Sequence, residues 1–285
     1  MRRAGALVLV ATPIGNLGDL SPRAVEALRD ADVIAAEDTR RTRALLSHAG
    51  VAAGRRLRAV HGRNESRLAA TVVDQIRDGA RVVYATDAGM PGVSDPGERL
   101  VRACLDAGLT VEVVPGPSAL LAALVVSGLP TRRFVFEGFL PRKGRARAER
   151  LAGIAAEPRT VVLFESPLRV SETLADLAAA CAPAREVAVA RELTKRFEEV
   201  WRGTLRAAVD HTSEVEPRGE YVLVVGPAPG ERAEVAADDL NSALRQALDD
   251  GLSARDAAAQ VASELGVAKR RAYAAAIELA RDQRG

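Results

Sequence analysis

The sequence predicts an α/β protein that ends in a helical tail. Three observations carry that reading. Short apolar, β-rich runs alternate with helical patterns as far as residue 225, Gly- and Pro-punctuated loops follow the runs, and beyond residue 237 only helical patterns remain. The 285-residue length exceeds what one hydrophobic core usually serves. The expected units are therefore an N-terminal α/β domain (1–117), a second α/β domain (118–228) and a helical module (237–285).

Taken in order, Ala6–Ala11 is a buried strand, because Leu7-Val8-Leu9-Val10 is continuous and apolar, as in strands covered on both faces. Ser21-Pro22 opens a helix through Arg29, with Ser as the cap and Pro in the first turn. Val33–Ala36 is a second strand, followed by a helix from Arg40 to His48 that Gly50 closes. Leu57–Val60 is a third strand, Glu65–Asp78 a helix ending at Gly79, and Arg81–Ala85 a fourth strand. A helix over Pro96–Ala107 stops at Gly108, Thr110–Val114 is a strand, and Ser118–Val126 a short apolar helix. Such alternation implies a largely parallel sheet with helices on both faces.

After Gly128-Leu129-Pro130 the pattern resumes. Strands are expected at Phe134–Glu137, Thr160–Phe164, Glu186–Ala190 and Tyr221–Val225, with another around Glu198–Arg202, and helices near Ala146–Ala155 and Leu168–Ala180. Gly226-Pro227-Ala228-Pro229-Gly230 reads as a linker. The tail then holds helical patterns at Asp239–Leu248, Ala254–Leu265 and Lys269–Ala280. The last two flank a Gly turn, and the second begins with Lys269-Arg270-Arg271, so the pair resembles a helix-turn-helix. A plain helical hairpin packed on the α/β body is the alternative.

Composition narrows the function. Two cysteines (Cys104, Cys181) and three scattered histidines give no metal-ligand spacing, so no metal is expected. Aromatics are 3% of the chain, too few for a base-stacking platform. No apolar run reaches the length of a membrane span, and Met1-Arg2-Arg3-Ala4-Gly5 leads into the first strand without a signal-peptide pattern, so a cytoplasmic location is expected. The net charge is only +2, yet it is segregated. Thr39 to Asn64 holds seven basic residues and no acidic one, and Pro141 to Arg150 holds five against Glu149 alone, leaving the rest net negative. A basic segment on an acidic chain is the footprint of a polyanion partner.

In α/β sheets ligands bind beyond the C-terminal ends of the strands, so the residues after each strand are the candidates. Thr12-Pro13-Ile14-Gly15-Asn16-Leu17-Gly18-Asp19 follows the first; it is neither a Walker loop nor the dinucleotide fingerprint, which disfavours ATP and NAD. Glu37-Asp38-Thr39-Arg40 follows the second. Thr86-Asp87-Ala88-Gly89-Met90-Pro91-Gly92-Val93-Ser94-Asp95-Pro96-Gly97 follows the fourth and is longer than a plain turn requires. Pro115-Gly116-Pro117-Ser118 follows the fifth, its Ser placed to cap a helix. Together these loops point to a small-molecule site between the two α/β units.

These blocks, with Phe136-Glu137-Gly138-Phe139-Leu140-Pro141, Phe164-Glu165-Ser166-Pro167 and Ala190-Arg191-Glu192-Leu193-Thr194-Lys195, resemble the tetrapyrrole methylase superfamily in order and spacing from about residue 6 to 226. Within it they are similar to the ribosomal RNA small-subunit methyltransferase I group, which 2′-O-methylates a decoding-centre cytidine of 16S rRNA with S-adenosylmethionine. Two departures stand out: Met90 replaces the Thr usual after Asp-Ala-Gly, and His61-Gly62-Arg63-Asn64-Glu65 replaces a His-x-His-Asn-Glu run.

The resemblance implies two α/β domains of the tetrapyrrole methylase type with S-adenosyl-L-methionine in the cleft between them. It implies cofactor contacts at Pro13, Gly15, Asp87, Gly89, Met90, Ser118, Ala119 and Phe164. It also implies a homodimer and, as partner, 16S rRNA or the 30S subunit. A ribose hydroxyl is a poor nucleophile, so a general base or a positioned acceptor is expected. Glu37, Asp38, Glu165 and Glu192 are the leading candidates, with His61, Glu65 and Lys195 beside them. Arg40, Arg41, Arg43, His61, Arg63, Asn64, Arg142, Lys143, Arg169 and Lys195 are the expected RNA contacts. A tetrapyrrole-intermediate methylase and a non-enzymatic RNA assembly factor with a vestigial pocket remain the alternatives.

Overall fold

The computed structural model describes residues 4–60, 65–213, 217–228, 237–265, 267 and 269–282. The first sheet contains β1 (Ala6–Val10), β2 (Val33–Ala36), β3 (Leu57–Ala59), β4 (Arg81–Ala85) and β5 (Val111–Val114) in the order β3-β2-β4-β1-β5, all parallel. Its helices are α1 (Pro22–Asp30), α2 (Thr39–His48), α3 (Glu65–Arg77) and α4 (Glu98–Asp106). Side chains alternate across the pleat, so Leu7 joins Val72, Ile76, Val82 and Leu100 on one face while Val8 joins Leu28, Ile34, Leu46 and Val83 on the other. Both faces are dry, which explains the unbroken apolar run in β1.

The chain moves outward from β1 to β2 and β3, then returns to insert β4 between β1 and β2 before β5 adds to the far side. Loops after adjacent strands diverge at such a switch and leave a crevice at the C-terminal ends. A 3-10 turn at Leu17–Asp19, which sequence periodicity is too short to reveal, shapes the loop after β1.

The second sheet is built from β6 (Phe134–Phe139), β7 (Thr160–Glu165), β8 (Glu186–Arg191), β9 (Glu199–Thr204) and β10 (Tyr221–Val225) in the order β6-β7-β10-β8-β9. Only β6 and β7 run parallel; the other three pairings are antiparallel. The parallel rule therefore stops at the first sheet, because β8 and β9 follow one another with no helical crossover between them. α5 (Ala119–Val126) leads into this half, α6 (Arg145–Ala156) and α7 (Val170–Ala180) flank β7, and α8 (Leu205–Ser213) precedes β10. Sequence reading missed α8.

One face of the second sheet packs on α7 and α8 through Val161, Leu163, Leu174, Leu177, Leu205 and Leu223. The opposite face, through Val162, Ala188, Ala190, Val222 and Val224, meets Ala123 and Leu124 of α5 and Ile14 from the loop after β1. That second contact brings the two sheets together beside the crevice. The tail forms α9 (Ala237–Asp249), α10 (Ala254–Leu265) and α11 (Lys269–Asp282), which bury Leu240, Leu244, Val261, Ala272 and Ala276 in a core of their own.

Candidate active site between the two sheets

The loops after β1 and β4 are joined backbone to backbone. Thr12 N–H donates to Gly89 O at 2.9 Å and Gly89 N–H to Thr12 O at 3.0 Å, with Gly89 at φ +82°. Thr12 Oγ1 donates to Thr86 O at 3.2 Å. Further along the same loop, Gly97 (φ +135°) lies so close to the Tyr84 ring that a Cβ would sit 2.9 Å from it. Glu65 then fixes the loop's far end: its buried Oε1 accepts from Gly97 N at 3.0 Å and Leu100 N at 3.1 Å, at the N-terminus of α4. That carboxylate, a candidate base from sequence, is committed to the helix.

Between these two loops lies a cavity of about 310 Å³ shared by both sheets. From the first half it is lined by Ile14, Gly89, Met90 and Asp95, from α5 by Ser118 and Ala119, and from the second half by Phe139, Phe164 and Leu193. Phe164 packs edge-on against Phe136 (4.9 Å between centroids) and Phe139 (5.7 Å), which fixes its ring at the wall. Ser118 caps α5, accepting from Leu121 N. Apolar walls with a few convergent polar groups suit a small molecule with a planar ring and charged ends. Gly89, Met90, Ser118, Ala119 and Phe164 of the expected cofactor set meet here.

The remaining cofactor candidates lie on other surfaces. Pro13 and Asp87 face a neighbouring cavity of about 230 Å³ on the α2 side. Gly15 abuts the second half, where a Cβ would collide with Lys195 Cγ; Asn16 N–H donates to Thr194 Oγ1 at 3.2 Å.

The four expected catalytic carboxylates separate by environment. Asp38 caps α2, accepting from Arg40 N at 2.8 Å, and pairs with the Arg40 guanidinium; hydrogen bonds to Arg40 hold it down at about 2. Glu165 has no exposed side-chain surface: it accepts from Thr173 Oγ1 at 2.7 Å and Ser166 N at 2.8 Å and pairs with Arg169 at 3.3 Å. Glu192, in the left-handed region at φ +51°, accepts from Lys195 Nζ at 2.7 Å and Glu220 N at 3.0 Å. Burial works against its charge, but Lys195, the Glu220 amide and Arg191 together outweigh that and hold it below the ordinary carboxylate range. Glu37 is pushed up, by burial and then by the nearby Asp87. Asp87 itself accepts from Asp38 N at 3.0 Å and faces Arg41 at 3.7 Å.

Sequence reading left Asp95 without a role. It lines the cavity, and burial, with Glu37 and Asp87 nearby, raises its carboxyl to about 7. Ser94 before it is held at φ +60°, the kind of backbone strain that gathers at functional sites. The second Asp of a long Gly/Pro loop was the available signal.

The expected RNA contacts scatter. Arg40, Arg41 and Arg43 stand exposed along α2, and Arg142 and Lys143 are exposed before α6. Arg169 turns inward to Leu140 O and Glu165, and Lys195 lies between Glu192 and Glu220. His61, Arg63 and Asn64 lie outside the described residues. The basic stretches are also partly structural. Arg56 donates to the carbonyls of Leu28, Arg29 and Ala31 at the end of α1, and Arg147 is buried against Asp176 (2.7 Å) and Thr173.

Residues 6–209 match the family model of tetrapyrrole (corrin/porphyrin) methylases. The chain is 44% identical over 279 residues to a ribosomal RNA small subunit methyltransferase I of Synechocystis sp., covering 98% of this chain and 99% of that protein. It is 50% identical over 238 residues to one of Xylella fastidiosa, covering 82% and 86%. The fold is similar to that of uroporphyrin-III C-methyltransferase from Thermus thermophilus, solved with S-adenosyl homocysteine, at a TM-score of 0.54 and 23% identity over 78% of this chain and 96% of that one.

Proposed function

The chain belongs to the ribosomal RNA small subunit methyltransferase I group of the tetrapyrrole methylase family, and we propose that it uses S-adenosylmethionine to methylate the ribose 2′-oxygen of a decoding-centre cytidine in 16S rRNA. The observation that carries this reading is the cavity shared by both sheets, together with an exposed, arginine-bearing α2, in a chain that matches rRNA methyltransferases over nearly its whole length.

The residues present fit the cofactor. Phe164 and Leu193 offer apolar surface to a purine ring, and Met90 and Ala119 to the aliphatic portion. Bound there, S-adenosylmethionine supplies a methyl group already activated on a sulfonium. The protein's part is alignment and proton removal. Asp95 is the carboxylate suited to accept the hydroxyl proton, because it lines the cavity and its affinity for a proton is matched to neutral pH. Burial sets that affinity first, and the charges of Glu37 and Asp87 add to it. Asp38, Glu165 and Glu192 act as positioning residues: Asp38 starts α2, Glu165 anchors the turn into α7, and Glu192 with Lys195 braces the loop after β1.

Exposed Val113, Leu121, Val125 and Val126, at edge strand β5 and on α5, support a homodimer formed through this apolar area. Sedimentation at micromolar concentration should give twice the 30.1 kDa chain mass; a monomer would remove the dimer. Substrate class is tested by offering the protein labelled cofactor with small ribosomal subunits or with uroporphyrinogen. Label in the RNA is expected. Label only in the tetrapyrrole, or in neither, contradicts the proposal.

A further inference from the structure

The cavity on the α2 side of Asp87 has no part in holding the cofactor as described above. About 230 Å³ in volume, it is walled by Pro13, Leu17, Ala44 and Leu45, floored by Thr12, Thr42 and Thr86, and edged by Arg41 and Asp87. The three threonines are buried, whereas Arg41 and Leu17 are exposed, so the cavity is an apolar trough with a polar floor and, at its rim, the exposed Arg41 facing Asp87 at 3.7 Å. Thr12 Oγ1 and Thr42 Oγ1 spend their protons on Thr86 O and Asp38 O, which leaves both oxygens able to accept from a ligand N–H.

This trough backs onto the cofactor cavity. Thr12, Pro13, Thr86 and Asp87 face it, while the next residues of the same segments, Ile14, Ala88 and Gly89, face the other cavity. The paired backbones of Thr12 and Gly89 form part of the partition. An occupant of the trough is therefore a neighbour of the reacting group and not the reacting group itself.

We propose that the trough is a nucleotide subsite for the RNA residue next to the one methylated. Its base lies against Pro13, Leu17 and Leu45, and its phosphate meets Arg41, with Arg40 and Arg43 continuing the cationic rim along α2. The inference rests on the rRNA reading above. Aliphatic walls with hydroxyl acceptors on one side and a guanidinium on the other are the chemistry of nucleotide capture, in which the guanidinium binds phosphate and the walls take the base.

Ala44 is exposed and lines the trough, so Ala44→Trp fills it without disturbing the core. Ser47→Trp, exposed one turn further along α2 and outside the trough, is the control. Leu17→Glu, on a separate element, sets a carboxylate against the phosphate. With small ribosomal subunits as substrate, Ala44→Trp and Leu17→Glu should each raise KM about tenfold or more. Their affinity for S-adenosylhomocysteine by calorimetry should stay within about twofold of wild type, and Ser47→Trp should behave as wild type. KM unchanged in both trough variants overturns the subsite while leaving the rRNA reading intact, and so does equal loss in Ser47→Trp. A wild-type protein that transfers no methyl to small subunits overturns both.

Discussion

At the residue scale, the site turns on how differently neighbouring carboxylates are treated. Asp38 and Asp95 have the same side chain, yet Arg40 holds the first at about 2 while burial among Glu37 and Asp87 raises the second to about 7. The folded chain therefore grips the Asp95 proton more tightly than the unfolded chain does. Stability from this group is complete below about pH 4 and is lost as pH rises toward 7. Asp95→Asn cannot ionise, so thermal melts should show it more stable than wild type at pH 8 and little changed at pH 4. Its methyl-transfer rate should fall by about a hundredfold or more. The wild-type rate should climb with pH through about 7 and flatten above it; a rate flat across that window would discard Asp95 as the proton acceptor. Arg41→Ala should weaken RNA binding at every sequence and reduce the slope of log K against log salt by about one.

Residue type made the acidic loops legible in the sequence, but commitment was not. Nothing in Phe164-Glu165-Ser166 says that Thr173 and Arg169, from the following turn and helix, will consume the carboxylate. Nothing in Glu192 says that Lys195 and the Glu220 amide will do the same. Those pairings depend on how the turns after β7 and β8 fold back on themselves and, for the Glu220 amide, on where β10 enters the sheet. Asp95 was overlooked for the converse reason: its proton affinity comes from burial in the cleft and then from Glu37, more than fifty positions earlier in the chain.

At the element scale, several basic and acidic side chains are helix-end staples. Arg185, buried, donates to Ile154 O at 2.7 Å and Gly226 O at 2.6 Å, tying the end of α6 to the chain leaving β10. Arg185→Ala should cost about 3 kcal/mol in denaturant unfolding, since it strips several buried carbonyls of their donor at once. Glu65→Ala removes the acceptor for two amides at the start of α4 and should cost about 1–2 kcal/mol by the same measurement. A loss no larger than that of an exposed control such as Glu98→Ala would show that the cap is replaced by water. The strands and helices of the first sheet were readable because each carries its own signal, with apolar runs, Ser21 as a cap, and Gly50, Gly79 and Gly108 as stops. α8 was not, because it follows β9 directly: Thr204-Leu205 offers no break, and the β-branched residues of the strand run into the helix.

At the scale of the whole molecule, the near-neutral charge conceals a division that the structure refines. Of the two basic stretches, Arg56 and Arg147 serve the interior, while Arg40, Arg41, Arg43, Arg142 and Lys143 remain on the surface. The separate core of α9–α11 gives the tail its own folded body, with Lys269, Arg270 and Tyr273 exposed on α11. Removing residues after 228 should leave S-adenosylhomocysteine affinity within about twofold while lowering methyl transfer to small subunits, if the tail contributes RNA affinity and not catalysis.

The most direct test of the central claim is the chemical identity of the methylated product. Small ribosomal subunits from a strain lacking this activity are treated with purified protein and labelled S-adenosylmethionine, digested to nucleosides and separated with mass detection. All label is expected in 2′-O-methylcytidine. Label in a base-methylated nucleoside, or in the 2′-O-methyl form of another nucleoside, would contradict it.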